Sequence, residues 1–418
     1  MTQLKQLFSG GARSFGMVFA LLALIVIFEI TTGGKVLTPT NAQNIINGNS
    51  YVLLLSIGMV LVIIAGHIDL SVGSVAAAVG IIVALVIRDW GVPWWVGVLI
   101  GIVCGAIIGA WQGFWVAYVG IPGFITTLSG YMFFRGLNQF IGKSDSVPVP
   151  DQIQSLGNGY LWEWGPQTGL NNSTLVLGIL GVALVIWSEF RKRANARKLD
   201  GVPVPTIVSV VRAGVAVVVI GYLTYLFGSG RYGTSFPVAG VILLVLVAIY
   251  WFVSTRTITG RHVYAVGGNK AAAALSGVNI KRTNFFVMMN MSVLASIAAI
   301  VFIGRSTASG PFDGTGWELD AIAAVFIGGA AVSGGVGTVA GSIIGGLVMA
   351  VLNNGLQLMG VGSDMTQMIK GLVLLAAVAF DVYNKVQGRP SIIGRLTGAD
   401  RRAIAAAAAP RATVPAAE

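Results

Sequence analysis

The chain has 418 residues, 55% of them hydrophobic and only 10% charged, where a soluble domain carries roughly 25% charged residues. That balance excludes a water-soluble globular protein. The 26 basic and 15 acidic residues sort by loop rather than onto one face, which fits an all-α, polytopic membrane protein and not a nucleic-acid binder. One cysteine, Cys104, and two histidines, His67 and His262, exclude disulfide frameworks and leave no metal site to be expected.

Lys5 and Arg13 precede the apolar run Phe15 to Phe28. With no small-x-small cleavage site in Glu29 to Gly34, the run reads as an uncleaved first span rather than a signal peptide. Tyr51 to Ile87 is almost continuously apolar. As one helix it would reach about 55 Å, against roughly 30 Å of hydrocarbon, so it must break. The break falls at Gly66-His67-Ile68-Asp69-Leu70-Ser71. Gly66 can end one helix and Asp69 can cap the next at the membrane surface, with a proton relay through His67 and Asp69 as the alternative.

Along the span Trp94 to Tyr118, Gly97, Gly101, Gly105, Gly109 and Gly113 recur every four residues. Such a stripe lets helix backbones approach closely, and at about 400° per repeat it winds slowly enough to touch more than one neighbour. Phe124 to Ile141 follows, with Arg135 well inside it. A charge at mid-bilayer costs on the order of 3 kcal/mol and needs a partner, for which Glu318 and Asp320 are the candidates. Lining a substrate path is the other role open to Arg135. The long segment Gly142 to Asn172 is net negative and carries Trp162 and Trp164, suited to a membrane interface. Leu175 to Trp187 then leads into a basic cluster, Arg191, Lys192, Arg193, Arg197 and Lys198, and Val204 to Phe227 and Val238 to Val253 span out and back.

Arg256 to Arg282 is a polar island with five basic residues and no acidic one, which assigns it to the cytoplasm. Within it Asn269 is a good N-cap, Lys270 to Ser276 is rich in alanine, and Gly277 stands where a helix ends in the left-handed conformation. Leu275 is the one large apolar residue of this segment. A helix of about two turns is too short to be stable alone, but one held by a span on each side suits insertion into a partner's groove.

Beyond the island come Phe285 to Ile303, a short apolar piece Ala321 to Val332, then Val339 to Leu352 and Met368 to Phe380. Gly328, Gly329, Gly334, Gly335 and Gly337 make the short piece either a full span or a broken, re-entrant one. Gly337, Gly341 and Gly345 extend a packing face into the next span. Counting the short piece gives 12 crossings with both termini cytoplasmic, and 18 of the 26 basic residues then fall on that side. A transmembrane domain over 1–384 is followed by a basic cytoplasmic tail, 385–418, expected to be disordered beyond Ala403.

Two apparent nucleotide motifs fail on context. Gly335, Gly337 and Ala340 fit a dinucleotide fingerprint, but no soluble strand precedes them. Gly142-Lys143-Ser144 fits the end of a phosphate loop, but Leu137 stands where its first glycine belongs. The chain therefore has no ATP site of its own. Gln112, Thr126, Thr127, Arg135, Asn138, Asn290 and Asn353 are the polar residues within spans that could line a path, although single polar residues more often join helices.

Several stretches together resemble a family: IDLSVGS (Ile68 to Ser74), GFITTLSGYMFFRGL (Gly123 to Leu137), GRHVYAVGGNKAAAALSGVNIKR (Gly260 to Arg282), GGAAVSGGVGTVAGSIIGG (Gly328 to Gly346) and NNGL (Asn353 to Leu356). They are similar to the permease subunits of bacterial ABC importers for monosaccharides, of the ribose and xylose type. The extra length around Arg191 to Lys198 looks most like the xylose members. The resemblance implies an inner-membrane homodimer that performs no chemistry itself. It also implies a separate ABC subunit that holds ATP and Mg, and a periplasmic sugar-binding protein. Asn269, Lys270, Ala273, Leu275, Ser276 and Gly277 would form the coupling helix. One departure stands out: ABC coupling helices often begin with a glutamate where this chain has Ala271, so any salt bridge made by that glutamate is missing. A branched-chain amino acid permease and a proton-coupled sugar transporter are the competing readings. The carboxylates such a proton-coupled carrier would use, Glu29, Asp320 and Asp381, all lie near span ends.

Overall fold

The computed structural model describes residues 12–386, except 167, 199–205 and 232. The described residues form a helical membrane bundle: α1 Ala12–Thr31, α2 Pro39–Ile64, α3 Val72–Trp90, α4 Trp94–Phe114, α5 Gly123–Ile141, α6 Asp151–Asn158, α7 Asn172–Lys198, α8 Thr206–Gly228, α9 Val238–Arg256, α10 Ile258–Gly268, α11 Lys270–Leu275, α12 Ile280–Ser306, α13 Trp317–Ile327, α14 Val339–Leu358 and α15 Ser363–Val386. Eight of these are long and apolar enough to cross a membrane. Helix α2, 83% buried over its most apolar stretch, and α3, α12 and α14, 72% each, form the centre, whereas α7 and α8, at 11%, pair at the periphery.

The long apolar run breaks where its polar residues fall. Helix α2 stops at Ile64, Gly66 takes φ +85° as only glycine does at ease, and α3 starts at Val72. The glycine stripe of α4 meets two neighbours in succession. Gly97 and Gly101 lie on Ile87 and Val83 of α3, while Gly105, Gly109 and Gly113 lie on Ser296, Met289 and Phe285 of α12. A methyl group on Gly105 would sit 1.7 Å from Ser296 Oγ, so this seam admits no side chain.

Helices α13 and α14 form an antiparallel hairpin, with Gly328 against the backbone of Gly341, and Gly345 against that of Ala324. Helix α13 has 11 residues, about 16 Å of rise, or half the thickness of a bilayer. The short apolar piece therefore begins at Trp317, four residues before its expected start, and Val332 lies in the connection that follows. Gly337 also lies in that connection, before α14, so it is not part of the packing face carried by Gly341 and Gly345. A methyl group at Gly337 would instead meet the Ile64 side chain.

Several loops carry more structure than composition suggests. Arg191 to Lys198 is the last part of α7, since nothing in that stretch breaks a helix. The basic island contains a second helix, α10, whose buried Gly260, Val263 and Val266 make one face. In Gly142 to Asn172, strand β1 (Val147–Pro148) pairs antiparallel with β2 (Ala308–Ser309), and α6 lies on the end of α12, with Gly157 against Val301 and Arg305. These elements mark one end of the bundle; α11 marks the other. Most of the carboxyl tail, 387–418, lies outside the described residues.

Candidate functional site: a capped helix and a buried polar centre

At the α11 end three caps follow one another. Thr257 accepts from Gly260 N at 3.2 Å, Asn269 from Ala272 N at 3.0 Å and Asn279 from Arg282 N at 2.9 Å, starting α10, α11 and α12 in turn. Helix α11 then closes with paired bonds, Gly277 N to Ala274 O and Val278 N to Ala273 O, both 3.0 Å, around Gly277 at φ +81°. This is the Schellman arrangement, which needs a residue at ease in the left-handed region. Ala273 is buried against the protein, and Leu275 is 91% exposed. A leucine so exposed on a doubly capped helix has no partner among the described residues.

Behind α11 three segments meet backbone to backbone. Gly335 N donates to Ile64 O at 2.8 Å, and Tyr264 Oη donates to Gly337 O at 2.7 Å. A methyl group on Gly267 would lie 1.6 Å from Ile64 O and 2.8 Å from Gly335 N. The island is thus fixed to the end of α2 and to the α13–α14 connection. His67 lies just beyond, near Lys270 and Asn284. Burial, and then the Lys270 charge, hold its imidazole below the ordinary range.

From His67 the extended segment leads to a second, buried cluster. Thr127 Oγ1 donates to Ile68 O and accepts from Leu70 N. Asp69 Oδ1 accepts from Ser71 N at 2.8 Å and from Ser71 Oγ at 2.6 Å, and Gln112 Nε2 donates to Ser71 Oγ at 2.8 Å. Asp69 is 1% exposed. It does make a turn before α3, but one buried within the protein, where Thr127 of α5 and Gln112 of α4 bond the residues on either side of it.

Gly73 and Gly130 leave room for this cluster. A methyl on Gly130 would lie 2.6 Å from Gln112 Nε2, and one on Gly73 would lie 2.6 Å from Glu318 Oε2 and 2.1 Å from Gly314 O. The loop 310–316 lies over the cluster and is tied to α5. Arg135 Nη1 donates to Asp313 O, and Asn138 Nδ2 donates to Pro311 O at 3.1 Å and to Gly310 O at 3.3 Å.

Arg135 therefore does not form the expected ion pair. Asp320 is taken by Lys370 of α15 at 2.8 Å, and Glu318 is a charged neighbour of Arg135 without bonding to it. The Asp320–Lys370 pair borders a separate, mainly apolar cleft of about 230 Å3 between α13, α14 and α15. Lys370 went unread in the sequence, although a lysine in an apolar run is itself a signal.

Of the polar residues singled out, Gln112, Thr127, Arg135 and Asn138 converge on the buried cluster. Thr126 bonds back to Pro122 O on its own helix. Asn290 accepts from Tyr250 Oη, and Asn353 donates to Asn49 Oδ1 at 3.3 Å, so these two join helices elsewhere. Asp69, expected as a cap or a relay, and Glu318, expected as a counter-ion, also belong to the buried cluster, and Ser71 links Asp69 to Gln112. Among the described residues no group of three or more His, Cys, Asp or Glu side chains could hold a metal ion.

Residues 41–378 match the family described as branched-chain amino acid transport system / permease component. The chain is 37% identical over 370 residues to the xylose transport system permease protein XylH of Haemophilus influenzae, covering 88% of this chain and 96% of that one. It is 31% identical over 370 residues to the ribose import permease protein RbsC of Escherichia coli strain K12, covering 88% and 94%. It is 30% identical over 380 residues to the probable ABC transporter permease protein YphD of the same strain, covering 91% and 92%. No solved structure matches the chain.

Proposed function

This chain belongs to the permease family of that description, among the sugar permeases of ABC importers, and on that premise we propose that it carries a neutral monosaccharide, xylose or a related sugar, across the bacterial inner membrane. The observation that carries the reading is Leu275, exposed on a helix that is capped at both ends and lies, with α10, between the spans α9 and α12. In this account a separate ATP-binding subunit receives α11, with Leu275 as its anchor and Lys270 and Ser276 on the same exposed helix. A periplasmic binding protein delivers sugar to the opposite end.

The permease works as a pair of identical chains, each with 12 crossings if α13 counts as a short one, and both ends cytoplasmic. Residues 1–384 form the permease and 385–418 the tail. Sugar passes near Gln112, Thr127, Arg135 and Asn138, while ATP and Mg stay on the partner. When ATP closes the partner, the two copies of α11 draw together, and the state that favours the closed partner gains population; hydrolysis reverses the bias.

The energy source is the point on which a proton-coupled carrier differs. Cells with the complete system should accumulate labelled xylose, and replacing the catalytic base of the ATPase subunit should abolish accumulation. Accumulation that survives that replacement and collapses with the proton gradient would refute the ABC reading.

A further inference from the structure

The buried cluster between α3, α4, α5 and α13 contains more polar capacity than the protein itself uses. Among the described residues, Asp69 Oδ2, Gln112 Oε1, Asn138 Oδ1 and Glu318 Oε2 are buried acceptors without a hydrogen-bond partner, and Arg135 Nη2 is a buried donor without one. Asp69, Gln112 and Asn138 are each no more than 1% exposed, and Glu318 is 8% exposed. Leaving a buried polar atom unmet costs about 1–3 kcal/mol, more if charged, so one such atom is tolerable and five in one neighbourhood require a reason.

The chain packs closely around these atoms, glycine backbone included. Gly73 and Gly130 are the positions where any side chain would displace Glu318 and Gln112. The cover, loop 310–316, is held by three hydrogen bonds from Arg135 and Asn138 and by the backbone of Gly314 lying against that of Gly73. With this loop in place, five buried polar atoms stay unmet by the described residues.

We propose that this centre is an intramembrane sugar site, in which Asp69, Gln112, Asn138 and Glu318 accept hydrogen bonds from sugar hydroxyls and Arg135 donates to a hydroxyl or ring oxygen. The proposal deepens the reading of the chain as a sugar permease and rests on it. Its consequence is that the membrane subunit exerts a selection of its own, beyond that of a binding protein. The chemistry chooses the ligand class. Four acceptors, two of them carboxylates, suit a neutral molecule rich in O–H donors and repel the carboxylate of an amino acid. A metal ion is disfavoured because the cluster offers only two carboxylates among those atoms, and no metal-holding group occurs among the described residues. Ser71 ties Asp69 to Gln112 and so orients both acceptors.

The test is equilibrium binding of labelled D-xylose to the permease with its ATPase, in nanodiscs and without the binding protein, in nucleotide-free and vanadate-trapped forms. Saturable xylose binding should appear below about 100 mM, a range that covers a weak, millimolar site. Glu318→Gln and Gln112→Leu should each weaken it by about tenfold or more, the scale of a lost charge-assisted or buried hydrogen bond. Asn290→Ala, outside the centre, should leave it unchanged. Should a centre variant fail to fold, the wild type alone still decides, because xylose analogues lacking one hydroxyl should compete about tenfold more weakly at positions read by a charged group. Absence of saturable binding in both forms, while the complete system takes up xylose normally, would overturn the site and leave the function standing. Uptake of leucine instead of xylose would overturn both.

Discussion

Leu275→Asp should abolish association with the ATPase subunit and sugar uptake while leaving the permease inserted and folded. The side chain is 91% exposed, so the substitution removes nothing from the core and opens no cavity. What it removes is the one large apolar group on α11, which otherwise presents alanines and Lys270 before its C-cap Ser276. Anchors of this kind carry about 2 kcal/mol or more when truncated, and burying a carboxylate in an apolar groove adds to that. Affinity should therefore fall by at least about thirtyfold. Leu275→Met, which keeps volume and apolarity, should change it by less than about threefold. Co-purification of Leu275→Asp with the ATPase at the wild-type ratio, together with normal uptake, would show that the contact is made elsewhere.

Gly267→Ala should be nearly as damaging for a different reason, and Gly268→Ala should be mild. A methyl on Gly267 would fall 1.6 Å from Ile64 O and 2.8 Å from Gly335 N, both backbone atoms that cannot rotate away. A methyl on Gly268 meets nothing within 4 Å. Overfilling a packed junction costs about 1–3 kcal/mol where side chains can yield, and more where only backbone is available. The strain falls on the point that fixes the island to the end of α2 and to the α13–α14 connection. Permease that is still made should bind the ATPase through Leu275 yet lose uptake by about tenfold or more, a loss of at least about 1.4 kcal/mol of coupling. Equal uptake by the two alanine variants would refute this junction as the link between α11 and the bundle.

What was legible in the sequence was what local chemistry decides. Gly66 ends α2 because a long apolar run must stop, and Asn269 and Gly277 bound α11 because their types match the two caps. The spacing of Gly97 to Gly113 foretold a seam shared between two helices, and α3 and α12 supply it. What was illegible depends on elements far apart in the chain. Asp320 was an expected partner of Arg135, but Lys370, fifty residues on, holds it at 2.8 Å. Asp69 reads locally as a surface cap because nothing nearby in sequence reveals that Gln112 bonds Ser71 beside it and that Glu318 is its charged neighbour. Helix α10 was missed because Gly260, Gly267 and Gly268 resemble breakers, whereas each serves a close backbone approach or a helix end.

The central claim is that this chain moves a monosaccharide at the expense of a partner's ATP. It is tested most directly in proteoliposomes containing the permease, its ATPase and its binding protein, with labelled D-xylose and labelled L-leucine supplied in parallel on the binding-protein side. The account predicts that xylose accumulates above its external concentration only when ATP is available to the ATPase, and that leucine does not accumulate. ATP-driven accumulation of leucine with no movement of xylose would contradict it.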